Sequence, residues 1–110
     1  MSILTILSLV WLHFVADFVL QTDKMAINKS SSHMWLVTHV VTYTLPFLVF
    51  GWQFVLVNGV AHLLTDAVSS RLTSYYWKQT PPNRHMFFVV IGADQALHLT
   101  ALFLSYYLLT

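Results

Sequence analysis

The chain has 110 residues, 57% of them apolar and only 8% charged, where an ordinary soluble domain carries about a quarter charged residues. A soluble core of this size buries only about two thirds of its unfolded surface, so this composition argues against a soluble helical domain and for lipid as the solvent. A formal charge of +1 gives no reason to expect a nucleic-acid partner, and the absence of cysteine excludes disulfides, thiolate metal sites and cysteine nucleophiles.

Four apolar stretches follow one another, each near the ~20 residues needed to cross a bilayer. They cover residues 3–21, 33–51, 52–71 and 83–109 and predict one all-α domain, a four-helix transmembrane bundle. The first stretch has no basic leader and no small-residue cleavage site, and it carries His13 and Asp17, so it reads as a retained span and not as a secretory signal. Thr22 to Ser32 forms a polar loop in which Ser30, Ser31 or Ser32 can cap the second helix. The second and third spans meet at Gly51 with almost no connector, which predicts an antiparallel hairpin. Leu72 to Pro82 forms the next loop, where Pro81 and Pro82 stop any earlier helix and Asn83 is a candidate cap for the fourth.

The basic residues set the orientation. Lys24 and Lys29 fall in the first loop, and Arg71, Lys78 and Arg84 fall in or beside the third, whereas the chain ends and the Gly51 turn have none. Loops one and three should therefore face the cytoplasm, with both termini on the opposite side. Trp35, Tyr75, Tyr76 and Trp77 should anchor the cytoplasmic interface and Trp52, Tyr106 and Tyr107 the other, while Trp11 falls in mid-span as a packing residue.

Three of the four Asp lie inside these spans, each four residues from a His: His13 with Asp17, His62 with Asp66, and Asp94 with His98. Four residues is about one helical turn, so each pair projects from one helix face. Random placement of six His and four Asp would give about half a pair at this spacing, so three pairs form a pattern. A rise of ~1.5 Å per residue puts them roughly 6 to 16 Å deep in the cytoplasmic half of the bilayer, and His39 joins the same layer at roughly 9 Å. Gln21 continues the first face; Asn58, His62, Asp66 and Ser70 form one stripe on the third helix. Thr38, Thr42 and Gln95 can act as supporting hydrogen-bond partners. Ionisable groups in hydrocarbon cost roughly 3 kcal/mol each, and a divalent cation would neutralise the cluster. Imidazole and carboxylate ligands suit zinc, and also manganese or iron. The bland alternative is a set of His to Asp hydrogen bonds joining helices, and a metal-free proton relay is another. His33 and His85 fall at the interface, where they need no role.

The run His13-Phe14-Val15-Ala16-Asp17-Phe18-Val19-Leu20-Gln21, the loop with Lys24 and Lys29, His39, the His62 to Asp66 pair followed by Arg71, and Asp94-Gln95-Ala96-Leu97-His98 resemble a family of small bacterial and phage membrane proteins catalogued as a domain of unknown function. That family is similar to the membrane-bound metal-dependent hydrolases typified by YdjM. The resemblance covers nearly the whole chain and implies a metal site made from His13, Asp17, His62, Asp66, Asp94 and His98. It supplies no substrate.

The expected function is a membrane-embedded, metal-dependent hydrolase. Asp17 or Asp66 would be the general base and His39 a stabiliser of the transition state. The site lies near headgroup depth beside basic loops, which suits a lipid or lipid-linked phosphate. Gln21, Gln95, Lys24, Lys29 and Arg71 are candidates for support or substrate contact. The alternatives are a divalent-cation or proton transporter, which four short helices could form only as a homo-oligomer, and a phage accessory protein that binds a host membrane partner.

Overall fold

Ser2 opens the first helix, its hydroxyl accepting the Thr5 N–H at 3.1 Å, and satisfies one of the amides that a helix start leaves bare. The computed structural model describes residues 1–109, and all regular structure among them is helical. Helix α1 (Ile3–Phe14) runs without a break into a π-helical turn over Val15–Val19, closed by the Leu20 N–H on the Val15 carbonyl at 2.9 Å. Such wide turns are frequent at functional sites, and this one carries Asp17.

The expected loop between the first two long helices contains a helix of its own, α2 (Asp23–Asn28). Thr22 caps it through the Met25 N–H at 3.2 Å, and the buried Met25 side chain anchors it. Six residues carry too little periodicity to stand out as a helix in the sequence. Ser32, out of the three candidate serines, caps α3 (His33–Thr44).

Pro46 lacks an N–H, and the chain around it tightens into a 3-10 stretch over Leu45–Phe50. Gly51 then turns the chain at φ 101, donating to the Leu48 carbonyl at 3.0 Å. Helix α4 (Trp52–Trp77) follows at once. It runs six residues past the end expected at Arg71, because no Gly or Pro interrupts the sequence there. Asn83 caps α5 (Arg84–Leu109) through the Met86 N–H at 3.1 Å.

Burial is inverted relative to a soluble protein. On α4 the buried residues are Phe54, Asn58, His62, Asp66 and Ser70, a stripe of period four in which all but the first are polar. Leu56, Val60, Leu64 and Val68, on the opposite side, are more than half exposed. Two layers fill the interior. Toward the Gly51 end lies an apolar cluster of Leu9, Ala16, Tyr43, Phe47, Phe54 and Leu102, crossed by an Asn58 to Ser105 hydrogen bond at 2.8 Å. Toward the loops lie the His and Asp residues.

Two segments, His33–Phe50 and Arg84–Leu109, are long and apolar enough to cross a membrane, whereas four such helices were expected. Ile3–Val19 is a shorter apolar helix. The polar stripe of α4 lowers its mean hydropathy below what its 26 residues would otherwise give.

Because Gly51 sits at positive φ with open space around it, Gly51→Ala should destabilise by backbone strain alone, about 1 to 2 kcal/mol. Thermal melting in detergent should register the loss with helix content unchanged; an unaltered midpoint would show that the turn does not hold the α3 to α4 hairpin.

Candidate metal centre

His62 and Asp66 project from one face of α4, with Nε2 and Oδ2 3.4 Å apart. Helix α3 brings His39 Nε2 to within 3.2 Å of the same Asp66 oxygen and 3.1 Å of His62 Nε2. The π-helical turn after α1 adds Asp17, whose Oδ1 is 3.0 Å from His39 Nε2 and 3.6 Å from His62 Nε2. Asp17 Oδ1, His39 Nε2, His62 Nε2 and Asp66 Oδ2 thus outline a small cage, in which the five edges that involve an imidazole run from 3.0 to 3.6 Å. Four ligands placed tetrahedrally at ~2.05 Å from a zinc ion would lie about 3.3 Å from one another. These four buried residues could hold a metal ion.

A second group adjoins the first. On α5 Asp94 Oδ2 lies 3.1 Å from His98 Nε2, and His98 Nε2 lies 4.0 Å from Asp17 Oδ2 and 3.4 Å from Asp66 Oδ1. Asp17, Asp94 and His98 also could hold an ion.

The imidazoles are fixed by stacking. His62 lies between the Tyr43 ring and the His98 ring, 3.9 Å from each. Ring packing does here what a hydrogen bond usually does for a ligating His, since Nδ1 of both His39 and His62 has no partner.

His13 belongs to neither group. Its Nδ1 lies 2.9 Å from the Tyr43 hydroxyl and its Nε2 2.6 Å from Gln95 Oε1, while Asp17 Oδ2 is 3.9 Å away. The amide settles the direction of the chain. Tyr43 O–H donates to His13, His13 Nε2–H donates to Gln95 Oε1, and Gln95 Nε2 donates to Asp17 Oδ2 at 3.2 Å and Asp94 Oδ2 at 3.1 Å. His13 was expected as a ligand; here its Nδ1 meets the Tyr43 hydroxyl and its Nε2 meets Gln95, which holds the carboxylates of Asp17 and Asp94.

A cavity of about 640 Å³ opens onto the cluster. Asp17, Asp66 and Asp94 line it, the imidazoles lie behind them, and Lys29, Ser69, Ser70 and Gln95 complete its polar wall. Lys29 Nζ reaches Asp66 Oδ2 at 3.1 Å and Gln21 Oε1 at 2.9 Å, so α2 swings a loop lysine into the site. His39, expected to stabilise a transition state, is fully buried, does not line the cavity and stands in the cage.

Other expectations fall away. Thr38 and Thr42 donate to the carbonyls of Met34 and Thr38 one turn back and support nothing in the cluster. Lys24 is exposed. Arg71 donates to the Ala67 carbonyl and lies 3.5 Å from His33 Nδ1, clear of the cavity. Two contributors went unread. Tyr43 is four residues after His39, the same spacing that marked the other pairs, and Ser69 donates to Asp94 Oδ1 from a position with no signal of its own.

The same His, Asp and Gln positions lie within residues 3–110, which match the family described as a protein of unknown function, DUF3307. The chain belongs to that family. No curated protein and no solved structure matches it. For this DUF3307 member the cage yields a graded expectation. His39→Ala and His62→Ala should abolish binding of zinc at the four-atom cage, whereas His13→Ala, which acts through Gln95, should weaken it about 10 to 100-fold. Equal loss in all three, measured by calorimetric titration of protein purified in detergent, would restore His13 as a direct ligand.

Proposed function

We propose that this protein is a membrane-embedded, metal-dependent hydrolase acting on a lipid or lipid-linked phosphate. The observation that carries the reading is the four-atom cage set directly behind a cavity lined by three carboxylates and Lys29. In this reading the His-xxx-Asp runs resemble those of the YdjM-typified hydrolases. Zinc fits the cage edges, and manganese or iron suit the same oxygen and nitrogen donors.

An ion held there would supply a Lewis acid and a water activated near neutral pH. The protein's own groups do the rest. Gln95 holds Asp17 and Asp94 in position, and the carboxylates facing the cavity are placed to accept the proton of an attacking water. Lys29 is the cation within reach of an entering phosphate, and the hydroxyls of Ser69 and Ser70 are donors on the same wall. Phe87, Phe88 and Trp77 line the cavity further out, a surface suited to the hydrocarbon of a lipid.

The membrane reading rests on the inverted burial of α4, which leaves Leu56, Val60, Leu64 and Val68 facing outward around a polar interior. Water would penalise that arrangement and lipid favours it. In this reading α1 with its π-helical turn and α4 span the bilayer beside the two longer apolar segments, and the first and third loops face the cytoplasm. Single cysteines at Ser31 and Gln79 should then react only from the cytoplasmic side; labelling from outside would reverse the topology.

A transporter would need polar groups continuing past the cluster. Tyr43, Phe47, Phe54 and Leu102 pack there instead, relieved only by Asn58 and Ser105, which favours a site over a path.

The decisive assay offers phosphatidic acid and a polyprenyl diphosphate in detergent micelles and measures phosphate release. Release should require added zinc, manganese or iron, stop with chelator, and fall at least 100-fold in His62→Ala. A protein that binds metal yet releases no phosphate from either would refute this substrate class.

A further inference from the structure

The two candidate metal groups adjoin, because Asp17 belongs to both and Asp66, a member of the first, also reaches His98 of the second. Asp17 turns Oδ1 toward His39 and His62 and Oδ2 toward His98. Asp66 does the same, with Oδ2 on His39 and His62 and Oδ1 3.4 Å from His98 Nε2. A carboxylate that offers one oxygen to each of two donor sets is the usual bridge of a two-ion centre, where ions stand about 3.5 to 4 Å apart. We infer that the site binds two divalent cations bridged by Asp17 and Asp66, one capped by His39 and His62 and the other by Asp94 and His98.

This inference rests on the metal-dependent reading above and makes it more specific. The donor sets differ: two imidazoles cap the first ion, one imidazole and one carboxylate the second. The second also lies nearer the cavity, since Asp94 lines it and its side chain is 12% exposed, while His39 is fully buried. Charge points the same way. One dication would only balance three carboxylates against Lys29; a second leaves the centre positive, which suits a phosphate ester, and two-ion sites stabilise both the attacking and the leaving oxygen of such a substrate.

Zinc, manganese(II) and iron(II), each offered alone under anaerobic conditions to detergent-purified protein, provide the test, with bound metal counted after gel filtration. His33 and His85 are exposed and are replaced by Ala in every sample to remove adventitious binding. At least one metal should load to two ions per chain. Asp94→Asn and His39→Gln should each hold one, and Asp17→Asn should lose both. With manganese, the resolved six-line magnetic-resonance signal of a lone ion should appear in Asp94→Asn and broaden away in the fully loaded parent through coupling of the two ions. A parent that never exceeds one ion per chain, or that keeps the six-line signal when fully loaded, overturns the two-ion centre while leaving a metal-dependent site standing. A parent that binds none of the three overturns both.

Discussion

Burial of the Asp66 carboxylate is the constraint on which the arrangement depends. Its side chain is 2% exposed, and an unpaired carboxylate at such a place would cost several kcal/mol, a large fraction of what a protein gains by folding. Each neighbouring element answers it: Lys29 from the end of α2, His39 from α3, His62 from its own helix and His98 from α5 all lie within 3.4 Å of its oxygens. A one-residue slip of any of these helices would withdraw a partner, so the carboxylate sets their registers. It also accounts for α2. That short helix has one buried residue, Met25, and its effect is to bring a lysine back from the loop to the cluster.

The rest of the architecture follows from what surrounds the cluster. Where the outer solvent is hydrocarbon, apolar side chains gain nothing by leaving it for the interior, and helices are held by close packing and polar contacts. The interior has both. Phe47, Phe50, Phe54 and Tyr106 pack in successive ring contacts between 5.1 and 5.9 Å, and the Asn58 to Ser105 bond ties α4 to α5 in the same layer. Tyr43 joins the two layers: its ring packs on Phe47 below and on His62 above, and its hydroxyl begins the hydrogen-bond chain that ends on Asp17 and Asp94.

Much of this was legible in the sequence because helical spacing is rigid. Four-residue separations put His62 with Asp66 and Asp94 with His98 on single faces before any helix was packed, and the stripe Asn58, His62, Asp66, Ser70 is the buried face of α4. What spacing cannot supply is the rotation of one helix against another. His13 has the same relation to Asp17 that His62 has to Asp66, yet it meets Tyr43 and Gln95 from other helices and is taken up by them. His39 has no carboxylate four residues away and still enters the cage, because α3 turns it toward two carboxylates on other elements. Lys29 lay in a segment with no visible periodicity, so its return to Asp66 depended on a six-residue helix that a capping Thr and one buried Met are enough to form.

Hydrogen bonding alone does not account for the cage. His39 Nε2 has three neighbours at bonding distance, Asp17 Oδ1 at 3.0 Å, His62 Nε2 at 3.1 Å and Asp66 Oδ2 at 3.2 Å, and a ring nitrogen carries at most one proton, which can point at one of them. If both imidazoles carry that proton on Nε2, the two hydrogens face each other across 3.1 Å. If neither does, four lone-pair donors converge with nothing between them. In a mixed pair one ring can donate to the other across 3.1 Å, which leaves the close contacts of both rings to the carboxylates without a proton. The Nδ1 atoms do not discriminate, because they lack partners in every tautomer. A cation at the centre would serve all four atoms at once with both protons on Nδ1, so these distances are ones that a metal ion could meet.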